Sequence, residues 1–255
     1  MKLTVLGCSG GIGGAGRRTT AFLVDDDILI DGGSGVGDLS YEDLLCIDHI
    51  FITHAHLDHV AFIPFLVDTV GDERQRPITL YGTRETLHIL RSHLFNWLVW
   101  PDFSTIPDRN HPFLRYQEIA VGDAIDLGGR KITPMPAHHT VPAVGYAVDS
   151  GSAQLAFTGD TTYSAEVLQA LDELPNLRHL IIEAAFPDAL QGLALASRHL
   201  CPSLLAMMLR ELNCRPEVYV THLKPGKGKR IMAEVGAYEL PMPVHRLRQG
   251  MVLEF

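Results

Sequence analysis

The sequence predicts a layered α/β fold, and two observations support this prediction. Short strand-like runs dominate the first part of the chain, and helical segments alternate with strands towards its end. Polar residues directly follow several apolar runs, as they do where the strands of an α/β sheet end at a functional site. Helices packed outside sheets are therefore the expected architecture.

The predicted strands are short apolar or alternating runs bounded by glycine or acidic turns. Residues 20–24 and 28–31 flank an acidic turn at 25–27 and predict a hairpin. The predicted strands, in order, are 2–6, 20–24, 28–31, 49–52, 78–81, several short runs within 113–158, 179–182, 217–220 and 251–254.

Capping signals and apolar periodicity predict the helices. Ser40 with Asp43 is typical of a capping box and predicts a short helix through Leu45. Residues 57–70 favour a helix that Pro64 kinks or ends early. The further predicted helices run from the cap Thr83 to about Trp97, over 163–173 and over 202–213.

Composition narrows the classes of protein. The chain has 255 residues, 46% of them hydrophobic and 20% charged, as in an ordinary globular protein. We expect one domain over residues 1–255, with an aromatic-rich insert at about 83–112. The net charge of −9 excludes a uniformly basic nucleic-acid binder. Because the four cysteines have no CxxC spacing and the first apolar run is too short for a signal peptide or a membrane helix, we expect free thiols, a cytoplasmic location and no membrane partner.

Gly11, Gly13 and Gly16 match the G-x-G-x-x-G pattern of dinucleotide-binding loops. That fingerprint requires a helix directly afterwards, whereas residues 20–24 have strand character. We interpret the glycines as a loop, in which one of the two following arginines could contact an anion.

The segment 54–59, HAHLDH, is the strongest functional signal. Residues two apart on an extended chain point the same way, so His54 and His56 can hold one metal ion. A helix beginning near residue 57 would turn Asp58 and His59 towards a second ion. A solvated histidine-rich turn is the alternative, but the density of ligands between apolar flanks favours a metal site.

Three further candidate ligands follow strand-like runs elsewhere in the chain, namely His139, Asp160 and His222. Each alone could be an ordinary loop residue, but three strand ends with the same chemistry favour one shared site. All candidate donors are nitrogen or oxygen atoms, which suits Zn²⁺ and also Mn²⁺ or Fe. We expect two divalent ions, with zinc as the preferred metal.

The motif HxHxDH, followed by a histidine, a TGDT turn and a final histidine, resembles the metallo-β-lactamase superfamily over about residues 3–254. The resemblance implies a four-layer αβ/βα sandwich with a two-metal site. It assigns His54, His56 and His139 to one ion and Asp58, His59 and His222 to the other, with Asp160 bridging and Asp31 bracing the ligand histidines. The spacing after residue 139 selects His139 over His138, which is then expected beside the ligands or in the cleft.

Three later segments resemble class II cyclic-nucleotide phosphodiesterases. They begin at Glu183 (EAAFP), surround His199 (ASRHLCP) and end in Lys224 and a proline (THLKP), and a related pattern occurs in ribonuclease Z. The resemblance implies that His199 protonates the leaving ribose oxygen and that Glu183 orients it, with Asp58 also counted as catalytic. Lys224 is the expected phosphate contact. Cys201 departs from the threonine of the phosphodiesterase pattern.

These features predict a two-metal hydrolase that opens a 3′,5′-cyclic nucleotide, with cyclic AMP as the expected substrate, by a metal-bridging hydroxide. Three alternatives stay open: a ribonuclease Z-like RNA endonuclease, a β-lactamase-like hydrolase of another ester or lactone, and a metal-dependent nucleotide-binding module without turnover. Nucleic acid is the less expected partner. The aromatic residues of the insert are expected mostly in the core or at a homodimer contact rather than on a purine; these are Phe95, Trp97, Trp100 and Phe103.

Overall fold

Two mixed sheets form the centre of the protein. The computed structural model describes residues 1–14 and 16–255, and in these residues fourteen strands form two seven-stranded sheets. The strands are β1 (Lys2–Gly7), β2 (Ala21–Val24), β3 (Ile28–Ile30), β4 (His49–Phe51), β5 (Ile78–Gly82), β6 (Leu114–Glu118), β7 (Ile125–Leu127), β8 (Arg130–Pro136), β9 (Val144–Asp149), β10 (Gln154–Phe157), β11 (Leu177–Glu183), β12 (Glu217–Thr221), β13 (Val244–Arg246) and β14 (Val252–Glu254). The strand orders are β14-β1-β2-β3-β4-β5-β6 and β13-β12-β11-β10-β9-β8-β7.

Helices cover the outer faces of both sheets. They are α1 (Tyr41–Cys46), α2 (Leu57–Val60), α3 (Ile63–Val70), α4 (Arg84–His93), α5 (Ala165–Asp172), α6 (Gln191–Ala196), α7 (Pro202–Glu211) and α8 (Gly228–Gly236). In the part of the chain that the structure describes, none of them is both long and apolar enough to cross a membrane.

Three apolar clusters separate four layers. One lies between the sheets, where Phe22 and Phe157 meet edge to face with ring centroids 4.9 Å apart. A second lies between the first sheet and the helices α3 and α4, and a third between the second sheet and α5, α7 and α8. The predicted four-layer αβ/βα sandwich is therefore confirmed.

Parallel pairing gathers several strand ends at one edge of the sandwich. Strands β3 to β6 run parallel in the first sheet, and β10 to β13 run parallel in the second. The chain leaves each parallel strand at its carboxyl end, where α/β sheets commonly build their sites. The loops after β3, β4, β10, β11 and β12 consequently lie close to one another.

Most local predictions are confirmed, including the hairpin β2–β3 and the capping box of Ser40 and Asp43. The predicted helix over 57–70 is wrong as one element, because the chain turns between α2 and α3. Pro64 lies in the first turn of α3, where a missing N–H is tolerated. The helix capped by Thr83 ends at His93 rather than near Trp97.

The insert packs partly into the helix-side core of the first sheet. Phe95 and Phe103 are buried, which confirms core packing for these two side chains. Trp100 packs against the same cluster while remaining partly exposed. Trp97 is 62% exposed, so it does not pack in the core, and a homodimer contact stays a prediction for this residue. Its backbone takes a left-handed conformation with φ 65° just after α4.

Candidate metal centre

The seven predicted metal ligands converge at the edge where the parallel strands end. The loop after β4 and the helix α2 supply four of them, and the second sheet supplies the other three. The four from the first sheet are His54, His56, Asp58 and His59, and the three from the second are His139, Asp160 and His222. His54 and His222 are 168 positions apart in the sequence, yet they belong to one cluster.

His54, His56 and His139 form a first group. His56 Nδ1 lies 3.1 Å from His54 Nε2 and 3.2 Å from His139 Nε2. The other nitrogen of His139, Nδ1, lies 3.1 Å from the carbonyl oxygen of Arg198 and donates to it. Arg198 Nη1 in turn donates to the His139 carbonyl over 2.7 Å. This reciprocal pair fixes the ring so that Nε2 faces the other two histidines.

Asp58, His59 and His222 form a second group. Asp58 Oδ2 lies 4.0 Å from His59 Nε2 and 3.8 Å from His222 Nε2. Asp160 stands between the two groups, with Oδ2 3.4 Å from His59 Nε2 and 3.8 Å from His54 Nε2. Its other oxygen lies 3.2 Å from His222 Nδ1. This carboxylate can therefore reach both groups.

Asp31 braces His59 from below the cluster. The carboxylate is fully buried directly after β3, and His59 Nδ1 donates to its Oδ2 over 2.6 Å. Thr53 adds a backbone N–H bond of 2.8 Å and a hydroxyl bond of 2.8 Å. The Thr53 hydroxyl also lies 3.0 Å from His54 Nδ1. One carboxylate and one hydroxyl thus orient two ligand rings.

Burial sets the protonation of most rings in the cluster. It lowers the pKa of His139 to about 4 and that of His222 to about 3, and it holds the pKa of His54 well below its usual value. These imidazoles are neutral at pH 7, the form that ligates metals. His59 differs: burial lowers its pKa, but the carboxylates of Asp160 and Asp31 outweigh burial and raise it well above the usual value.

The donor set fits a divalent cation. His59 Nε2 and His222 Nδ1 are buried, and neither makes a hydrogen bond to any residue that the structure describes. Buried polar atoms normally have a partner, and an imidazole nitrogen that has given up its proton can bind a metal ion, which would supply that partner here. The two carboxylates of Asp58 and Asp160 supply negative charge beside these nitrogens, so a cation is favoured over an anion.

Glu183 and His199 form a buried pair beside the cluster. His199 Nδ1 lies 2.6 Å from Glu183 Oε1, which also accepts from the Thr161 N–H over 2.9 Å. The other carboxylate oxygen accepts two backbone N–H bonds of 3.2 Å each. Burial raises the pKa of Glu183 to about 7, although His199 opposes that shift. For His199, burial lowers the pKa, but Glu183 outweighs it and raises the pKa above its usual value.

Lys224 lies at the margin of the second group. Its Nζ is 3.5 Å from His222 Nε2 and 5.9 Å from the centre of the Phe186 ring. His138 does not join the ligands: its Nε2 pairs with Glu166 over 2.9 Å, and both side chains are exposed. The selection of His139 over His138 therefore agrees with the geometry, since the His138 side chain pairs with a carboxylate of α5 rather than with the ligand cluster.

Several residues that shape the centre escaped sequence reasoning. Thr53 and Arg198 hold the rings of His54 and His139 in place. Each directly precedes a residue that the sequence predicted for the site, and this adjacency is the signal that could have identified them. Gly10 is a third case, since a Cβ there would lie 2.4 Å from the His222 carbonyl oxygen. The glycine loop, interpreted only as a loop, thus packs directly against a ligand.

Three residues at the centre hold left-handed backbone although none is glycine. They are Asp31 (φ 60°), Arg198 (φ 51°) and His222 (φ 58°). Such conformations cost about 1–3 kcal/mol each and persist where surrounding contacts over-determine them. Here the surrounding hydrogen bonds hold the ligand shell in place against that strain.

Comparison with known proteins shows the family. The sequence profile of the beta-lactamase superfamily domain matches residues 28–241. A probable 3′,5′-cyclic-nucleotide phosphodiesterase of Yersinia pestis is 28% identical over 204 residues, which cover 70% of this chain and 57% of that protein. Ribonuclease Z of Haloarcula marismortui is 30% identical over 156 residues, which cover 58% of this chain and 47% of that protein. The chain thus spans about half the length of these curated relatives.

Solved structures of metallo-β-lactamase-fold proteins superpose on the chain over nearly its whole length. Yeast PDE1 in its unliganded form has a TM-score of 0.82 at 19% identity, and the superposition covers 100% of this chain and 99% of that one. Since the identity is low, this likeness concerns the fold.

Proposed function

The chain belongs to the β-lactamase superfamily, and on that premise we propose that it is a two-metal hydrolase that opens the phosphodiester of a 3′,5′-cyclic nucleotide. One observation carries the proposal: six candidate ligand side chains form two groups with Asp160 between them, directly beside the Glu183–His199 pair. A metal pair suits phosphodiester hydrolysis, and an adjacent imidazole suits protonation of an alkoxide leaving group.

The two groups would each hold one ion, with Asp160 reaching both. When bound, two divalent ions lower the pKa of water towards ~7 and stabilise the negative charge that develops on a phosphoryl oxygen. The nitrogen and oxygen donors favour zinc, and they are compatible with Mn²⁺ or Fe. Asp31 and Arg198 engage Nδ1 of His59 and His139, so that Nε2 of each ring would be available to hold an ion.

His199 would hold the proton for the leaving group. Its Nδ1 is engaged by Glu183, so its Nε2 is the nitrogen that can face a substrate. An alkoxide is a poor leaving group, and a positioned acid typically raises the rate 10²–10⁴-fold. We expect the Glu183–His199 pair to contribute about that factor to the rate. Glu183 orients the ring through one hydrogen bond, and three backbone N–H groups hold the carboxylate in place. Lys224 would place a positive charge near the phosphate.

The test is turnover of cyclic AMP by protein loaded in turn with zinc, manganese or iron, with 5′-AMP measured by chromatography. Turnover that disappears in Asp160→Asn and persists in Asp68→Asn supports the proposal, since Asp68 is exposed on α3. Hydrolysis of bis(p-nitrophenyl) phosphate without turnover of cyclic AMP would keep the hydrolase and remove the substrate. Binding of cyclic AMP without cleavage would instead favour a nucleotide-binding module.

A ribonuclease Z-like endonuclease is the second candidate, because a ribonuclease Z is among the matched relatives. The same ligands and the same proton donor would serve a linear RNA phosphodiester. Removal of the 3′ extension of a precursor tRNA, at a rate above that for cyclic AMP, would favour this candidate. Cleavage of a chromogenic lactone or lactam at a higher rate would favour the ester hydrolase.

We also propose that residues 1–255 act as a single domain, because both sheets supply ligands to one centre. The homodimer and the cytoplasmic location stay predictions of the sequence. Gel filtration with light scattering tests the homodimer.

A further inference from the structure

A cavity of about 450 Å³ adjoins the metal centre on the side of His222. Four cationic side chains line it: Arg17, Lys224, Arg246 and Arg248. No acidic side chain of the described residues lines the same cavity. We call it the basic cavity. Lys224 lines the basic cavity and also contacts the metal centre, since its Nζ lies 3.5 Å from His222 Nε2.

Strand pairing places this cavity beside the ligands. Arg246 ends β13, which runs parallel to β12 with Arg246 opposite Val220, so it emerges at the same end as His222. On the other side, Ser9 of the glycine loop pairs with Leu223. The cavity is therefore bounded by the segment that carries the last ligand and by its two neighbours.

The four cations have no acidic partner within the described part of the chain. Neighbouring arginines behave differently: Arg18, next to Arg17, pairs with Asp38 over 2.7 Å. Arg246 Nη2 lies only 3.3 Å from where a Cβ of Gly228, the first residue of α8, would be. A guanidinium beside the positive end of a helix is unfavourable unless an anion is present.

The local charge is opposite to that of the whole protein. The chain carries a net charge of −9, yet this cavity gathers four positive groups. A concave site lined by one sign of charge concentrates ligands of the opposite sign. Guanidinium groups in particular match the geometry of phosphate oxygens.

We propose that the basic cavity binds a second phosphate group of the substrate, beyond the phosphodiester held at the metal centre. The substrates would then include linear nucleotides that carry such a phosphate, whereas a cyclic mononucleotide has no group to fill the cavity. This inference rests on the proposed function in that the metal centre takes a phosphodiester. Hydrolysis breaks one P–O bond of the linker, with a hydroxyl added to phosphorus and a proton to the leaving ribose oxygen.

The kinetic test compares four substrates: cyclic AMP, the dinucleotide TpT, and its forms with an additional 5′- or 3′-terminal phosphate, pTpT and TpTp. We expect wild-type protein to prefer one phosphorylated form over TpT, and the preferred form gives the side on which the cavity lies. In Arg246→Gln and Arg248→Gln, KM for that form should rise roughly tenfold, as expected for a lost charge-assisted hydrogen bond. KM and kcat for cyclic AMP and TpT should change less than twofold.

Arg178→Gln is the matched control, because Arg178 is exposed near the amino end of β11, away from the metal centre. It should leave all substrates unaffected. Equal KM values of wild type and both arginine variants for the phosphorylated dinucleotides would overturn the inference.

Equilibrium binding provides a readout that needs no turnover. Metal-free protein is titrated calorimetrically with pTpT, TpTp and TpT at several salt concentrations. The preferred form should bind more tightly than TpT, and each arginine variant should weaken it about tenfold and reduce the slope of log K against log salt by about one. Identical binding of all three dinucleotides would refute the basic cavity as a phosphate site.

The two proposals can fail separately. If cyclic AMP is not hydrolysed but the arginine variants lose the phosphorylated dinucleotide, the cavity stands and the cyclic-nucleotide substrate falls. If cyclic AMP is hydrolysed and the variants bind and cleave the dinucleotides like wild type, the proposed function stands and the cavity inference falls.

Discussion

Replacing Asp31 with asparagine should weaken metal binding about 10- to 100-fold while the protein stays folded. The carboxylate accepts a hydrogen bond from His59 Nδ1 over 2.6 Å and two more from Thr53. It thereby keeps one proton of the ring on Nδ1, so that a metal ion can replace the other proton at Nε2. An asparagine that turns its NH₂ towards Nδ1 would favour the other tautomer, with the proton on the ligand atom.

The magnitude follows from the contacts of this one side chain. A 10- to 100-fold weaker affinity corresponds to about 1.4–2.7 kcal/mol. The substitution also removes a buried charge-assisted hydrogen bond, worth about 1.5–3 kcal/mol of the free energy of unfolding. For a chain of this size that loss lowers the melting temperature by about 2–4 °C per kcal/mol.

Affinity is measured by competition with a chromophoric zinc chelator, and folding by far-ultraviolet circular dichroism and thermal melting. Asp68→Asn is the control, because it makes the same chemical change on the exposed face of α3. Thr53→Val should produce a smaller loss, since it removes only the hydroxyl that bridges Asp31 and His54. A folded Asp31→Asn protein with wild-type zinc affinity would refute the reasoning.

Three further predictions concern other parts of the molecule. His199→Gln should slow cyclic AMP hydrolysis about 10²–10⁴-fold but bis(p-nitrophenyl) phosphate far less, because nitrophenolate needs no proton; equal losses would contradict a proton donor. Gly10→Ala should lower the free energy of unfolding by about 1–3 kcal/mol and reduce metal content, since the new Cβ meets a ligand backbone, whereas Gly192→Ala, with nothing within 4 Å, should be neutral or stabilising. Arg130→Met should cost about 1 kcal/mol or less at pH 7. The Arg130 hydrogen bond lowers the pKa of Asp27, so its contribution is present above the unfolded pKa of about 3.9 and is lost as the pH falls through the lower folded pKa; a difference in unfolding free energy that does not shrink in acid would count against this pair.

The candidate ligands could be predicted because their positions in the sequence are informative. His54, His56 and His59 lie within six residues, and each of the distant candidates follows an apolar strand. The carboxyl ends of parallel strands meet at one edge of the sheet. A residue that directly follows such a strand in the sequence is therefore expected at the site. The alternation of strands and helices predicted only a layered α/β fold, and the four-layer arrangement came from the resemblance of the ligand motifs to the metallo-β-lactamase superfamily.

Other features could not be predicted, since they depend on contacts between distant segments. The left-handed backbone of Arg198 and the contact of Gly10 with His222 arise from packing, which no periodicity reveals. The fate of the aromatic insert was only partly predictable, because whether Trp97 is buried depends on where α4 ends. Sequence analysis had singled out Lys224 and one of the two arginines after the glycines as possible anion contacts, but not that they share a cavity with Arg246 and Arg248, since these cations come from three separate segments.

The reciprocal pair of His139 and Arg198 has a consequence for how such proteins diversify. Each residue bonds the backbone of the other, and His199 follows directly, so the ligand and the proton donor move as one unit. Substitutions that move this loop would weaken metal binding and proton donation together, so we expect selection to conserve its sequence. New substrate preferences should instead arise at the exposed Arg246 and Arg248 at the end of β13 and in the exposed residues 97–99, where exchanges leave the reacting groups untouched.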